Sequence, residues 1–207
     1  MTEKRDNYQL SRDRAKEYFL KFDQRRFIRF WNLPYDDQSV GLRFLGRDYR
    51  LFRDSGKILR CWDGSEAEHS EVLSIFDLLC HEGQEKWAAG RYAPVNSLKG
   101  GSPLGVGTDF HTGIAKKFDA NPEKFRRTCL ALGGTPVEMG DMGFRFPLFG
   151  QLQMILKFYR ADEDFPASLV LLWDENLLQF VFYETVFYIA GVLLRNIETE
   201  FGKVEML

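Results

Sequence analysis

The stretch "LQMILKFYRADEDFPASLVLLWDENLLQFVFYETVFYIAG" runs from Leu152 to Gly191 and carries the signals that set the architecture. Two short apolar runs, "LQMILKFYR" and "SLVLLWD", flank three consecutive acids, Asp162, Glu163 and Asp164. Runs of this length, rich in Leu, Ile, Val and aromatics and bounded by turn residues, read as strands. In the second run Leu169, Leu171 and Trp173 face one side, and Val170 and Leu172 the other. Both sets are apolar, so this strand is expected to be covered on both faces, or to lie centrally with helices against one of them. Pro166 belongs at its start or at an edge, because it has no N–H to give to a ladder. Asp174-Glu175-Asn176 marks the next turn. A last helix is expected from about Glu184 to Phe201, carrying Phe187, Leu194, Ile197 and Phe201.

The acids between the two strands raise the question of a site. Carboxylates bind hard cations such as Mg²⁺ and Ca²⁺. Neighbouring residues at a strand end point different ways, however, and the alternating acids and central Gly of a calcium loop are absent. A solvated turn whose charges discourage edge pairing is the preferred reading. Glu184 has two readings. At the start of a helix its charge suits the positive end of the dipole. Deeper in the protein it needs a partner such as an arginine, or it titrates high.

Elsewhere in the chain the same two patterns recur. "VGLRFLGRDYRLFRDSGKILRCW" (Val40–Trp62) pairs Leu42 with Phe44, Tyr49 with Leu51 and Ile58 with Cys61 among Arg and Lys, with Gly46 and Gly56 as punctuation. It reads as a three-stranded meander with one wet face. In "NPEKFRRTCLALGGTP" (Asn121–Pro136), Asn121 is an N-cap and Pro122 suits the first helical position. Gly133 supplies the left-handed stop and Pro136 lies beyond it. A helix over about 67–80 carries Val72, Ile75, Phe76, Leu79 and Cys80, with Gly83 placed to close it. Residues from about 8 to 31 read as one helix with the stripe Ala15, Tyr18, Phe19 and Phe22, ended by Asn32 and Pro34. The expected architecture is α+β: a single domain over 1–207, mostly antiparallel sheet, with about four helices packed on it.

Composition narrows the function classes. A chain of 207 residues with 44% hydrophobic and 15% aromatic residues, 19 of them Phe, has ample material for a core. Its net charge of -2 supplies no global field towards nucleic acid or membrane. Charge is uneven, with 15 Lys+Arg against 9 Asp+Glu in residues 1–60 and 13 against 21 in the rest. Cys61, Cys80 and Cys129 are widely spaced and odd in number, so neither a disulfide framework nor a zinc or iron–sulfur motif is expected. The beginning of the chain is charged, and the apolar stretch 168–194 is interrupted by Asp174, Glu175 and Glu184. A soluble, cytoplasmic protein without a membrane partner is the expectation.

Candidate ligand-binding residues come from two places. The Gly-, Ser- and Pro-rich stretch of about 87–113 is long for a connection, and such loops often carry function. Trp87, Arg91 and Lys99 with Gly100-Gly101 are its candidates, the last three as a small anion nest. It lacks the Gly-Lys-Ser/Thr ending of a P-loop, and "GVGTDFHTG" does not match the dinucleotide pattern. The second place is Asp141, between Gly140 and Gly143. It either ties its own turn together or faces a ligand. His69, His81 and His111 share no metal-binding spacing, and no residue is marked as a haem ligand, so no metal site is expected and no cofactor, tetrapyrrole or other, is named by the sequence. No nucleophile motif is present. Finally, "DQRRFIRFWNLPY" interleaves Arg25, Arg26 and Arg29 with Phe27, Phe30 and Trp31. That mixture can grip nucleic acid, but the aromatics as a packing face is the preferred reading.

Several of these pieces together resemble a known family. "SIFDLLCHEG" and "WAAGRYAPVNSLKGG" are followed by Gly133-Gly134, Gly140-Asp141, and Asp162-Glu163 with Phe165-Pro166. In this order they are similar to the bacterial and archaeal proteins catalogued as domain of unknown function 3786. The resemblance implies one compact domain and no particular reaction. Some relatives carry added iron–sulfur-type cysteine segments, and this sequence has none. The favoured reading is a non-catalytic ligand-binding or accessory module with a small-molecule, anionic or protein partner. An enzyme using Asp141 and Glu184 as acid and base is the first alternative. Nucleic-acid binding through the basic N-terminal helix is the second.

Overall fold

The computed structural model describes residues 7–82, 86–98 and 112–203. Among the described residues, six α-helices and eight strands follow one another as α1 (Asn7–Lys21), α2 (Gln24–Trp31), β1 (Ser39–Phe44), β2 (Arg47–Phe52), β3 (Ile58–Arg60), α3 (His69–Cys80), β4 (Tyr92–Ala93), α4 (Thr112–Asp119), α5 (Pro122–Ala131), β5 (Thr135–Val137), β6 (Met142–Phe149), β7 (Leu152–Tyr159), β8 (Ser168–Asp174) and α6 (Tyr183–Lys203). All strands join one antiparallel sheet in the order β3-β2-β1-β6-β7-β8-β4, with β5 paired to β6. The fold is α+β, as the strand and helix periodicities predict.

The sheet is two meanders joined at a single point, where two hairpin turns meet. In the first, Phe44 pairs with Arg47 across a two-residue turn, Leu45-Gly46, whose φ values of 48° and 76° match the twist of the flanking strands. In the second, Phe149 pairs with Leu152 across a two-residue turn that begins at Gly150, φ 54°. These two turns lie side by side. Phe44 faces Phe149, and the Leu45 N–H donates to the Leu148 carbonyl at 2.9 Å. Each turn is wedged by a helix end. A Cβ on Gly46 would stand 2.6 Å from the Leu132 carbonyl oxygen, and one on Gly150 would stand 2.5 Å from the Trp31 ring.

Helices line one face of the sheet. From that face project Leu42, Phe44, Tyr49, Leu51, Phe144, Phe146, Met154, Leu156, Phe158, Leu169 and Trp173, all buried or nearly so. They form one core with Phe19, Phe76, Phe118, Phe125, Ile189, Leu193 and Ile197 of the helices. The register shows the alternation in β8: Leu169, Leu171 and Trp173 lie opposite Phe158, Leu156 and Met154, whereas Val170 and Leu172 lie opposite Lys157 and Ile155 on the other face. β8 is second from the sheet edge, closed off by the two-residue β4. Pro166 precedes the strand.

Several expectations need correction. Residues 8–31 are two helices, because Asp23 adopts extended geometry and its side chain accepts the Arg25 N–H at 3.1 Å, starting α2 afresh. The break lets Phe19 and Phe27 both reach the core. Together with α4, which local pattern did not separate from the preceding Gly-rich stretch, this makes six helices rather than about four. Phe30 does not share the packing face of Phe27 and Trp31; it is exposed and Ile28 is buried instead. α3 begins and ends close to expectation, with His81 following its last turn; Gly83 lies outside the described residues. Asn121 caps α5 through a 3.0 Å bond from the Lys124 N–H, and Gly133 has φ 83°.

Gly150→Ala places a methyl group against the Trp31 ring at a positive φ. It is expected to cost about 1–3 kcal/mol, the range for overpacking a filled site. Urea denaturation measures it, and an unchanged midpoint would show that Trp31 does not wedge the β6–β7 turn.

Candidate functional site

The joint between the meanders leaves a groove. It holds about 470 Å³ and is lined in part by Pro34, Gly41, Arg43, Arg50, Cys61 and Pro147. Strand alternation explains why these residues meet. In β1 and β2 the residues Val40, Leu42, Tyr49 and Leu51 point to the core, so Gly41, Arg43, Asp48 and Arg50 point away from it. Gly41 lies directly opposite Arg50. Because Gly41 has no side chain, space remains beside the Arg50 guanidinium, and Pro34 packs into part of it, 3.2 Å from where a Cβ would be. Arg43 is bound to Asp48 at 3.1 Å in an exposed ion pair. Arg50 has no carboxylate within salt-bridge distance among the described residues.

The same outward face continues across β6, β7 and β8. Arg145, Ile155 and Leu172 form a cross-strand row. Ile155 and Leu172 are buried although they point away from the core. Arg145 reaches in from β6 and Tyr92 from β4, with the guanidinium carbon 5.9 Å from the ring centroid, and the Tyr92 hydroxyl is 3.1 Å from Gln153 Oε1. The two long side chains thus meet on the same face as the apolar pair. Lys157 lies 5.5 Å from the Tyr159 ring on the same face.

The candidates of the Gly-rich stretch fall elsewhere. Lys99, Gly100 and Gly101 lie outside the described residues, as does His111. Trp87 and Arg91 belong to a strap along the sheet edge. Asp174, almost fully buried, holds that strap: its carboxylate accepts the N–H groups of Ala89 at 2.9 Å, Gly90 at 2.8 Å and Asn176 at 2.9 Å. The Asn176 side chain donates to the Trp87 carbonyl, and Arg91 pairs with Glu175 at 2.7 Å. Arg91 is therefore engaged in holding the strap, while the Trp87 ring is exposed. Asp174 reads in sequence as one residue of a turn; nothing there announces that its carboxylate anchors a segment more than 80 residues away.

Asp141 and Glu184 are not brought together. Asp141 is exposed and accepts the Arg160 N–H at 2.8 Å, tying the start of β6 to the end of β7. Arg160 in turn binds Asp119 of α4 at 3.1 Å, and α4 binds the far half of α6 through Lys117 and Glu198. Glu184 sits exposed in the first turn of α6, about 21 Å of helix rise from Glu198. The three consecutive acids form an exposed turn. Asp162 closes it by accepting the N–H groups of Asp164 at 2.9 Å and Phe165 at 2.7 Å. Among the described residues, no three His, Cys, Asp or Glu side chains gather as a metal would require. Nor is any described helix long and apolar enough to cross a membrane.

Two further carboxylates, the buried Glu71 and the partly buried Asp77, are engaged in structure. Glu71 accepts the Tyr49 hydroxyl at 2.7 Å, the Arg60 guanidinium at 2.6 Å and the Glu68 N–H at 2.7 Å. Burial and the neighbouring Glu71 push the Tyr49 phenol above its ordinary range. Burial opposes the charge on Arg60, but its bonds to Glu71 and Glu68 outweigh that and raise it. Asp77 starts α6 from outside, accepting the Phe182 N–H at 2.8 Å and the Thr185 hydroxyl at 2.6 Å, and it meets His81 Nδ1 at 3.2 Å. Thr185 and His81 each bond to the carboxylate rather than to one another, so this is a helix cap and not a nucleophile–base pair. On α2, Arg25, Arg26 and Arg29 are exposed while Phe27 and Trp31 are core residues, which leaves Phe30 as the one ring of that helix beside them at the surface.

The chain matches the family described as Domain of unknown function (DUF3786) over residues 25–196. It belongs to that family. The matched span starts inside α2 and ends within α6, so it includes every strand of the sheet and the groove, while α1 lies before it. No curated protein and no solved structure matches the chain.

The three thiols differ in access. Cys61 is exposed at the groove, whereas Cys80 and Cys129 are buried. Burial, and then the nearby Asp77, push the Cys80 thiol up to about 12. Burial likewise raises Cys129. The thiolate is the reactive form, so native protein at mildly alkaline pH is expected to react with a disulfide reagent at Cys61 alone, and at all three positions after unfolding. Rapid modification of Cys80 in the native state would contradict this.

Proposed function

We propose that the protein is a non-catalytic binding module whose ligand, a small ring-bearing organic anion, occupies the groove at the sheet joint. One observation carries the reading: the groove sets the exposed Arg50 and Arg43 beside an apolar floor of Pro34, Gly41 and Pro147. Its volume of about 470 Å³ falls within the range of small-molecule sites. A guanidinium offers a planar fork that matches a carboxylate or phosphate, and the floor takes up the body of the ligand. Among the described residues, the carboxylate that lines the groove, Asp48, is bound to Arg43, and no histidine lines it. The pairing of acid and base that proton transfer demands is thus missing from the groove lining, which favours binding over chemistry. The Gly-rich stretch around Trp87 and Arg91 enters this reading only as the continuation of the strap that borders the same face.

Adenosine monophosphate, a ring with a phosphate, is a suitable probe. Because Cys61 lines the groove, millimolar probe is expected to slow its modification by a thiol reagent in a saturable way. Arg50→Gln should weaken that protection about tenfold, the loss of one charge-assisted contact. A Cys61 rate indifferent to the probe would defeat the proposal.

A further inference from the structure

We propose that the outward sheet face, with the groove as one end of it, is a platform for single-stranded nucleic acid. The inference rests on the groove reading and extends it. Four cations leave this face from four adjacent strands: Arg50 from β2, Arg43 from β1, Arg145 from β6 and Lys157 from β7. β1 and β6 share only the Phe44–Phe149 pairing, with Arg43 one residue to one side of it and Arg145 four residues to the other, so the cations follow a diagonal across and along the strands. Among the described strand residues two carboxylates project on that side, Asp48 bound to Arg43 and Asp174 bound to three backbone N–H groups, and the Asp36 carboxylate lies near Arg50. Cations thus outnumber the carboxylates on these strands, on a chain whose net charge is -2.

Charge alone would suit any polyanion. The rings narrow the choice. Arg145 is carried above Tyr92, itself held by Gln153, and Tyr159 is exposed beside Lys157. A guanidinium held above a ring and an exposed phenol both offer flat surfaces on which an unpaired base stacks. Ile155 and Leu172, apolar residues of this face, are already buried and give an apolar partner nothing to bury. Duplex DNA hides its bases, so it would meet the cations but not the rings.

Fluorescence anisotropy with a labelled oligothymidylate of about a dozen nucleotides tests this, run alongside the Cys61 protection assay with adenosine monophosphate. With Arg50, Arg145 and Lys157 each on a phosphate, a fourfold rise in salt should weaken binding about 20-fold. Arg145→Gln and Lys157→Gln should each lower the slope of log affinity against log salt by about 0.7. Neither should alter protection of Cys61 by the mononucleotide, which also shows that the variants fold. Arg50→Gln should weaken both ligands, and Tyr159→Ala should weaken the oligonucleotide about fivefold or more. Absence of oligonucleotide binding at low salt overturns the inference, and so does polyglutamate or duplex DNA binding as tightly as the single strand. If the mononucleotide still protects Cys61 in that case, the groove reading survives; if it does not, both fall.

Discussion

Trp31 is the contact that holds the two halves of this protein in register. Its ring lies against the backbone of Gly150, stands edge-on to Phe149 at 4.9 Å and meets Phe180 at 5.5 Å, and its indole N–H donates to the Leu78 carbonyl at 3.2 Å. One side chain thus ties α2, α3, the β6–β7 turn and the approach to α6. The two meanders share only the Phe44–Phe149 pairing and the adjoining Leu45–Leu148 bond, too little ladder to set their relative position unaided. Helix ends supply the rest: Trp31 on Gly150 and Leu132 on Gly46. Glycine is required at both turns because any Cβ would overlap the wedge and because the backbone there is left-handed.

From that constraint the groove follows. Strands that met along their whole length would present a continuous pleat. Strands that meet at their ends leave space beside the joint, and the residues alternating away from the core, Gly41, Arg43, Arg50 and Pro147, line it. The helical face carries the apolar mass, and the carboxylates of α3, the buried Glu71 and the partly buried Asp77, are hydrogen-bonded. Division of labour between the faces is a consequence of one antiparallel sheet covered on one side.

Much of the fold was legible in the sequence because its signals are local. Alternation around Leu42, Tyr49 and Ile58 marked the first meander, the Asn121-Pro122 cap and Gly133 marked α5, and the acidic turn separated β7 from β8. The break at Asp23 was harder, since both helix halves share one apolar periodicity and only the cap distinguishes them. The candidate site was legible in parts. Arg43 and Arg50 were visible as the wet side of the meander, and an isolated glycine at position 41 within a strand is a recognised sign of close approach. That β1 should meet β6 at one end only, or that Asp174 should hold Ala89 and Gly90, depends on contacts across 84 residues or more, which no local pattern encodes. The loop pointed instead to Trp87, Arg91 and Lys99; the first two hold or flank an edge strap, and the third lies outside the described residues.

If the groove is the binding site, ligand meets this protein on the outward face of the sheet at the joint. Nuclear magnetic resonance of the ¹⁵N-labelled chain, titrated with adenosine monophosphate, reads that contact residue by residue. The amide signals of Gly41, Arg43, Arg50, Cys61 and Gly150 are expected to move together along one saturable curve, with those of Ala88–Arg91, Asp141 and Glu184 still. Movement confined to the strap and Asp141, with the joint unaffected, would place the ligand elsewhere and contradict the groove as its site.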